Sequence, residues 1–184
     1  TVSRVTGMFA IAVWDKELEQ LTLIRDRIGE KPLYYGWVNE QFVFASELKS
    51  MKKFPEFNNQ IDKNSLAMFL RYNSIPAPYS IYENIYKLEP AQIIKINSTT
   101  MKIKKDCYWS IEEVYRKSTL NKFSGTSKEA VDQLESVLSD AVSSQMQSDV
   151  PLGAFLSGGV DSSTIVALMQ SFSNSKVNTF TIGF

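Results

Sequence analysis

The segment Phe155-Leu156-Ser157-Gly158-Gly159-Val160-Asp161-Ser162-Ser163 limits what this chain can fold into more than any other stretch. The apolar run Leu152 to Leu156 before it reads as a short strand. After it, Ile165, Val166, Leu168, Met169 and Phe172 recur at helical spacing, so Ser162 to Phe172 reads as a buried helix. A strand that turns through two glycines into a helix leaves the first helical amides without intrahelical partners, and the helix dipole favours negative charge there. The glycines let the backbone approach an oxyanion with no Cβ in the way. Ser157, Ser162 and Ser163 add hydroxyl donors. Asp161 would repel a bare phosphate, and it suits the site if it holds Mg²⁺ that bridges it to phosphate oxygens. GxxxxGK[ST] and GxGxxG are both absent, which excludes a Walker P-loop and a dinucleotide fingerprint.

The surrounding elements give this second part the order α-β-α-β. Thr126 and Glu129 match a capping box. Val131, Leu134, Leu138, Ala141 and Val142 follow as the apolar face of a helix expected to end at Pro151. Asn178 to Phe184 reads as a strand in which Phe180, Ile182 and Phe184 alternate. This is the opening of a parallel α/β domain, 127–184. The polar stretch 118–126 reads as a linker.

Residues 1–117 read as β-rich. The apolar run Gly7 to Trp14 suits a strand buried on both faces, paired as a hairpin with Leu21 to Ile24. Leu33 to Val38 and Gln41 to Ala45 form a second hairpin across Asn39-Glu40. A short helix is expected near Ser46. Asp62 caps a further helix carrying Leu66, Met68, Phe69 and Leu70, which Pro76 and Pro78 stop. Gln92 to Ile96 and Met101 to Lys105 form the last hairpin.

Composition narrows the chemistry. Twenty basic residues cancel twenty acidic ones, so there is no electrostatic case for nucleic acid or an anionic membrane as the main partner. The chain has no His, so no Ser-His-Asp triad, Cys-His pair or HExxH zinc site can be built from these residues. With Cys107 as the one cysteine there is no intrachain disulfide, and the single thiol fits a reducing compartment. No apolar run reaches the ~20 residues that span a bilayer. Several residues read most simply as structural. Arg25 and Asp26 read as a local ion pair, and Lys31 to Tyr35 as strand packing. Asp15, Glu17 and Glu19 read as a polar hairpin turn, and Lys102, Lys104 and Lys105 as a solvated strand face. Cys107 reads as a small core residue.

The motifs in order resemble one family. The glycine segment resembles the SGGxDSS loop of the PP-loop ATP pyrophosphatases. Upstream, Gly7-Met8-Phe9-Ala10 with Trp14-Asp15 resembles the "DGmFAfaiwD" strand of class II glutamine amidotransferases. Arg25 to Tyr35 resembles "RDpxGxKPLYY", Phe44 to Lys49 "FASExKal", and Ile75 to Ile85 "vPxPxTifenI". Lys87 to Ala91 resembles "KLpPGh" with departures at Glu89 and Ala91, and Tyr108-Trp109 matches the closing "yW". In this order the chain resembles the glutamine-dependent asparagine synthetase family.

The resemblance implies α+β followed by α/β: the C-terminal part of an Ntn-type glutaminase β-sandwich, then the start of a parallel PP-loop (adenine nucleotide alpha hydrolase-like) domain. It implies glutamine hydrolysis in the first domain, and ATP-dependent adenylation of a carboxylate and its amidation in the second. ATP and Mg²⁺ are the expected cofactors. Leu156, Ser157, Gly158, Gly159, Asp161, Ser162, Ser163 and Ile182 are the expected nucleotide-binding residues, with Asp161 on the metal. Glutamine, ATP and aspartate or another carboxylate are the expected substrates, the cytoplasm is the expected location, and a homodimer is compatible with the longer protein. Related amidotransferases of surface-polysaccharide or β-lactam type, and a non-catalytic nucleotide-binding remnant, are the alternatives. The first residue is Thr1 rather than Met, and the family's N-terminal Cys and second synthetase motif have no counterpart here. The chain is therefore expected to be a fragment with no catalytic residue of its own, inactive and prone to associate by itself.

Overall fold

The computed structural model describes residues 2–183. The chain forms two compact units, Thr1–Ser118 and Thr119–Phe184.

The first unit is built on two antiparallel sheets. One contains β1 (Ala10–Asp15), β2 (Gln20–Arg25), β6 (Gln92–Asn97) and β7 (Ile103–Cys107), in the order β1-β2-β6-β7. The other contains β3 (Tyr34–Val38), β4 (Gln41–Ala45) and β5 (Ile85–Lys87), with β3 central. The period-2 alternation of side chains explains how they pack. Leu23, Ile94 and Ile96 from the first sheet meet Tyr35 from the second, and Leu33 and Leu88 complete the cluster. Tyr34 and Val38 point the other way and pack with Met51, Ile85, Phe54 and Phe57. The second sheet is thus covered on both faces. Burying each of Leu23 and Ile94 completely contributes about 1.5–3 kcal/mol.

All three hairpins form. Asp15 pairs with Gln20, Val38 with Gln41 and Ile96 with Ile103. The Asp15 carboxylate accepts from the amides of Glu17 and Leu18, so it builds the first turn as read. β1 differs from expectation. It starts at Ala10, after Gly7 at φ +91°, and lies at an edge of its sheet with Val13 and Trp14 each 49% exposed. Val13 and Trp14 alternate to opposite faces, so this end of the strand is buried on neither side.

The helices of this unit are set by local chemistry. α1 (Leu48–Met51) is the short helix expected near Ser46. Asp62 caps α2 (Lys63–Tyr72) by accepting from the Ser65 amide at 2.6 Å. α2 stops at Asn73, which is left-handed (φ 54°) and returns its amide to the Phe69 carbonyl, so Asn73 and not the prolines ends the helix. The sequence reading does not anticipate β5 or α3 (Ile111–Leu120). α3 has Glu112 and Glu113 in its first turn and a Glu113–Lys117 ion pair along its side.

The second unit alternates as expected. α4 (Ser127–Gln145) opens on the complete Thr126–Glu129 capping box but ends at Gln145, well before Pro151. β8 (Gly153–Phe155) and β9 (Asn178–Phe180) pair in parallel, Gly153 opposite Asn178. α5 (Val160–Ser171) connects them. It is less buried than its composition predicts: Met169 is buried, while Ile165, Val166 and Leu168 are half-buried. β9 is shorter than read, and Phe184 lies outside the described residues.

Candidate functional site

The β8–α5 junction carries the anion-site features. β8 ends at Phe155, and Leu156 still belongs to the ladder, its amide donating to the Phe180 carbonyl at 2.9 Å. Gly158 takes φ +81°, a conformation that costs an L-residue about 1–2 kcal/mol. A Cβ built there would meet nothing within 4 Å, so the glycine is required for the turn and its outer side is open. Gly159 is the N-cap of α5 and has no side chain to satisfy the first amides. These amides and the helix dipole make the start of α5 an electropositive cradle.

The predicted residues fall together. Ser157, Gly158 and Gly159 form the turn. Asp161 lies exposed in the first turn of α5, beside Ser162 and Ser163. A hollow of about 400 Å³ at the strand ends is lined by Phe155, Leu156, Ser157, Phe180, Thr181 and Ile182. It brings Ile182 next to the loop from the other strand. Thr181, which sequence reasoning missed, donates its hydroxyl to the Leu156 carbonyl at 2.7 Å. The only sequence signal for it is a hydroxyl residue set between Phe180 and Ile182 at a strand end.

The fit of a phosphate-bound Mg²⁺ can be judged on the donors. Among the described residues no three acidic or thiol side chains converge. The one carboxylate of the loop is that of Asp161, which suits a Mg²⁺ that keeps waters and takes other ligands from phosphates. The uncapped amides and the open side of Gly158 suit the phosphates themselves.

In the first unit, Arg25-Asp26-Arg27 at the end of β2 forms a polar hub. Arg25 and Asp26 are 9% and 1% exposed. They are not joined by an ion-pair contact among the described residues, which corrects the simplest sequence reading. Each instead binds backbone. Asp26 accepts from the amides of Glu30 and Lys31 at 2.9 Å and of Phe9 at 3.3 Å. Burial works against its charge, but the amides of Lys31, Glu30, Phe9 and Gly29 together hold its carboxyl below the usual carboxylate range. Arg25 donates to the carbonyls of Gly29, Lys31 and Leu88. Burial pushes its pKa down, opposed by the nearby Asp26 charge. Gly29 (φ +73°) has no room for a side chain, since a Cβ there would come within 2.9 Å of Pro90 and 3.1 Å of Arg25. Arg27 reaches the carbonyls of Ser3 and Val5, and Tyr108 donates to the Arg25 carbonyl at 2.9 Å. Two further readings change. Cys107 is exposed, its thiol donating to the Trp109 carbonyl, and is not a core residue. The Lys105 ammonium lies 5.5 Å from the centre of the Tyr35 ring, so it is a cation–π partner as well as a surface charge.

No helix of the described residues is long and apolar enough to cross a membrane.

An antiparallel two-sheet unit followed by a strand–Gly-Gly–helix unit calls for two family descriptions, and two match. The model for the glutamine amidotransferase domain matches residues 1–109, and that for asparagine synthase matches 133–184. The chain belongs to the family in which a glutamine amidotransferase domain is joined to an asparagine synthase domain. A putative asparagine synthetase [glutamine-hydrolyzing] 2 of Methanocaldococcus jannaschii is 40% identical, over 100% of this chain and 35% of that protein. Asparagine synthetase [glutamine-hydrolyzing] 1 of Bacillus subtilis is 34% identical, over 99% of the chain and 27% of its own length. The amidase chry2 of Gibberella zeae is 27% identical, over 92% of the chain and 24% of its own length. The chain thus spans about a third or less of the length of these curated relatives.

Proposed function

We propose that this chain is part of a glutamine-dependent asparagine synthetase, a carbon–nitrogen ligase that draws on ATP. One observation carries the reading: the amidotransferase match and the asparagine synthase match occur in this order on one chain, with the glycine loop inside the second. In this reading residues 1–117 are the C-terminal part of an Ntn-type glutaminase sandwich, and 127–184 open a PP-loop domain. The longer protein works in the cytoplasm and takes glutamine, ATP and aspartate.

In this reading the reaction is the one the family resemblance implies. An aspartate side-chain carboxylate attacks the α-phosphorus of ATP, and pyrophosphate leaves. Ammonia from glutamine then attacks the acyl carbon, AMP leaves, and the amide is formed. Leu156, Ser157, Gly158, Gly159, Ser162 and Ser163 form the cradle that binds the phosphates. The uncapped amides of α5 face the charge that gathers on departing pyrophosphate. Asp161 would hold Mg²⁺, which would neutralise phosphate charge. Ile182 lies against the adenine or ribose.

The test is direct. In the longer protein Asp161→Ala should weaken ATP binding measured by calorimetry with Mg²⁺ present, and have a much smaller effect without it. Equal Mg²⁺-dependent affinity in wild type and variant would sink the metal assignment. Failure of the wild type to form asparagine from aspartate, glutamine and ATP would sink the substrate assignment.

A further inference from the structure

We infer that Thr181 is a positioning residue: its hydroxyl ends the β8–β9 ladder one rung early and so keeps open the hollow at the strand ends. The inference rests on the ATP reading above, which places the nucleotide in that hollow, and it concerns a residue outside the glycine loop.

A parallel ladder has a fixed order of bonds. Every second residue donates its amide to the residue before its partner and accepts, at its carbonyl, from the residue after its partner. β8 and β9 pair in this way, with Ala154 opposite Thr179 and Phe155 opposite Phe180. Continuing that register, Leu156 falls opposite Thr181, and its amide donates to the Phe180 carbonyl at 2.9 Å. The next rung would bring the Ile182 amide to the Leu156 carbonyl. No such bond joins them among the described residues. The Thr181 hydroxyl donates to that carbonyl instead, at 2.7 Å.

The exchange of a backbone donor for a side chain has a geometric consequence. Strands joined rung by rung stay about 4.8 Å apart, which leaves no space for a ligand between them. The paired end of β8 and β9 is close in this sense, since a Cβ on Gly153 would come within 2.6 Å of the Phe180 ring. At the other end the ladder stops, and the hollow of about 400 Å³ lies there, with Leu156 and Ser157 contributed by one strand end and Thr181 and Ile182 by the other. Because the strands already part in the folded state, no rung has to break when a ligand arrives.

The test uses the longer protein. Thr181→Val keeps the β-branched shape and removes the hydroxyl, so the freed Leu156 carbonyl should take the Ile182 amide. Without nucleotide, the Ile182 amide should then exchange about fivefold more slowly than in wild type, and calorimetry should show ATP with Mg²⁺ binding about fivefold more weakly, the effect of one hydrogen bond gained across the hollow. Thr181→Ser keeps the hydroxyl and should match wild type in both. A threonine that served stability alone would give faster exchange in the valine variant, not slower. Unchanged or faster exchange at Ile182 in Thr181→Val overturns the inference. Slower exchange with wild-type ATP affinity also overturns it, because the added rung would then not close the site. So does a serine variant that behaves like the valine one. The exchange measurement needs no nucleotide: slower exchange at Ile182 in Thr181→Val, together with a wild type that does not bind ATP, would keep the ladder device and remove the ATP reading.

Discussion

Replacing Asp26 with asparagine is the sharpest perturbation of the first unit, because size and shape hardly change while the charge is lost. The carboxylate serves three amides through both oxygens: Glu30 through one, Lys31 and Phe9 through the other. Asparagine keeps one oxygen and puts an NH₂ where the other stood, so at least one buried amide faces a donor. A charge-assisted bond contributes about 1.5–3 kcal/mol, and an unsatisfied buried donor costs about 1–3 kcal/mol. Relief from burying a charge offsets part of this. The net expectation for Asp26→Asn at pH 7 is about 3 kcal/mol of lost stability.

The assay is urea unfolding followed by tryptophan fluorescence. All three tryptophans, Trp14, Trp37 and Trp109, lie in the first unit, so the signal reports that unit alone. The pH dependence gives a second check. The folded carboxyl titrates below its unfolded value, so its contribution is complete above the unfolded pKa of about 4 and is lost as pH falls through the folded one. The gap between wild type and variant should therefore narrow below pH 4. A difference under about 0.5 kcal/mol at pH 7, or a gap that stays constant down to pH 2, would refute the claim that the charge organises these three segments.

Arg25→Lys should cost about 2–4 kcal/mol, because one ammonium cannot reach the carbonyls of Gly29, Lys31 and Leu88 together; unfolding within 1 kcal/mol of wild type would refute this. Cys107 should react stoichiometrically with a thiol reagent in the native state at a rate that urea changes little, whereas protection until unfolding would return it to the core. The chain by itself should self-associate as concentration rises, through exposed apolar residues such as Val131, Leu134 and Val137 on α4 and Phe155 and Phe180 on the paired strands. Light scattering that gives a monomer across the micromolar range would count against that surface being adhesive.

The parts legible in the sequence are those set by neighbouring residues. The turn at Asn39-Glu40 follows from two apolar runs with a polar pair between them, and Asn39 takes the left-handed φ of 52° that such a turn needs. Asp62 and Thr126 cap helices because a short polar side chain can reach the third amide beyond it. Two of the misreadings share a cause: partners distant in the chain decide them. β5 is three residues long and is recruited by β3, to which Ile85, Tyr86 and Lys87 pair. The apolar run at Gly7 to Trp14 predicts burial, but burial requires a covering layer, and none lies over Val13 and Trp14 among the described residues.

The same distinction separates the two polar centres. The loop residues 156–163 are contiguous, so their identities and spacing express the geometry directly, and the backbone dictates glycine at 158. The Arg25–Asp26 hub cannot be read in that way. Adjacent opposite charges suggest a pair, yet neighbouring residues in a chain that is extended up to Arg25 send their side chains apart. Arg25 is thereby free to reach Leu88, far along the chain, while Asp26 turns to the amides of Phe9, Glu30 and Lys31. Both charges make their hydrogen bonds to backbone and not to each other, although the Asp26 charge still favours the charged Arg25. That is why each side chain alone should be costly to remove, and why the two losses should add less than fully, since both act on the same 29–31 turn.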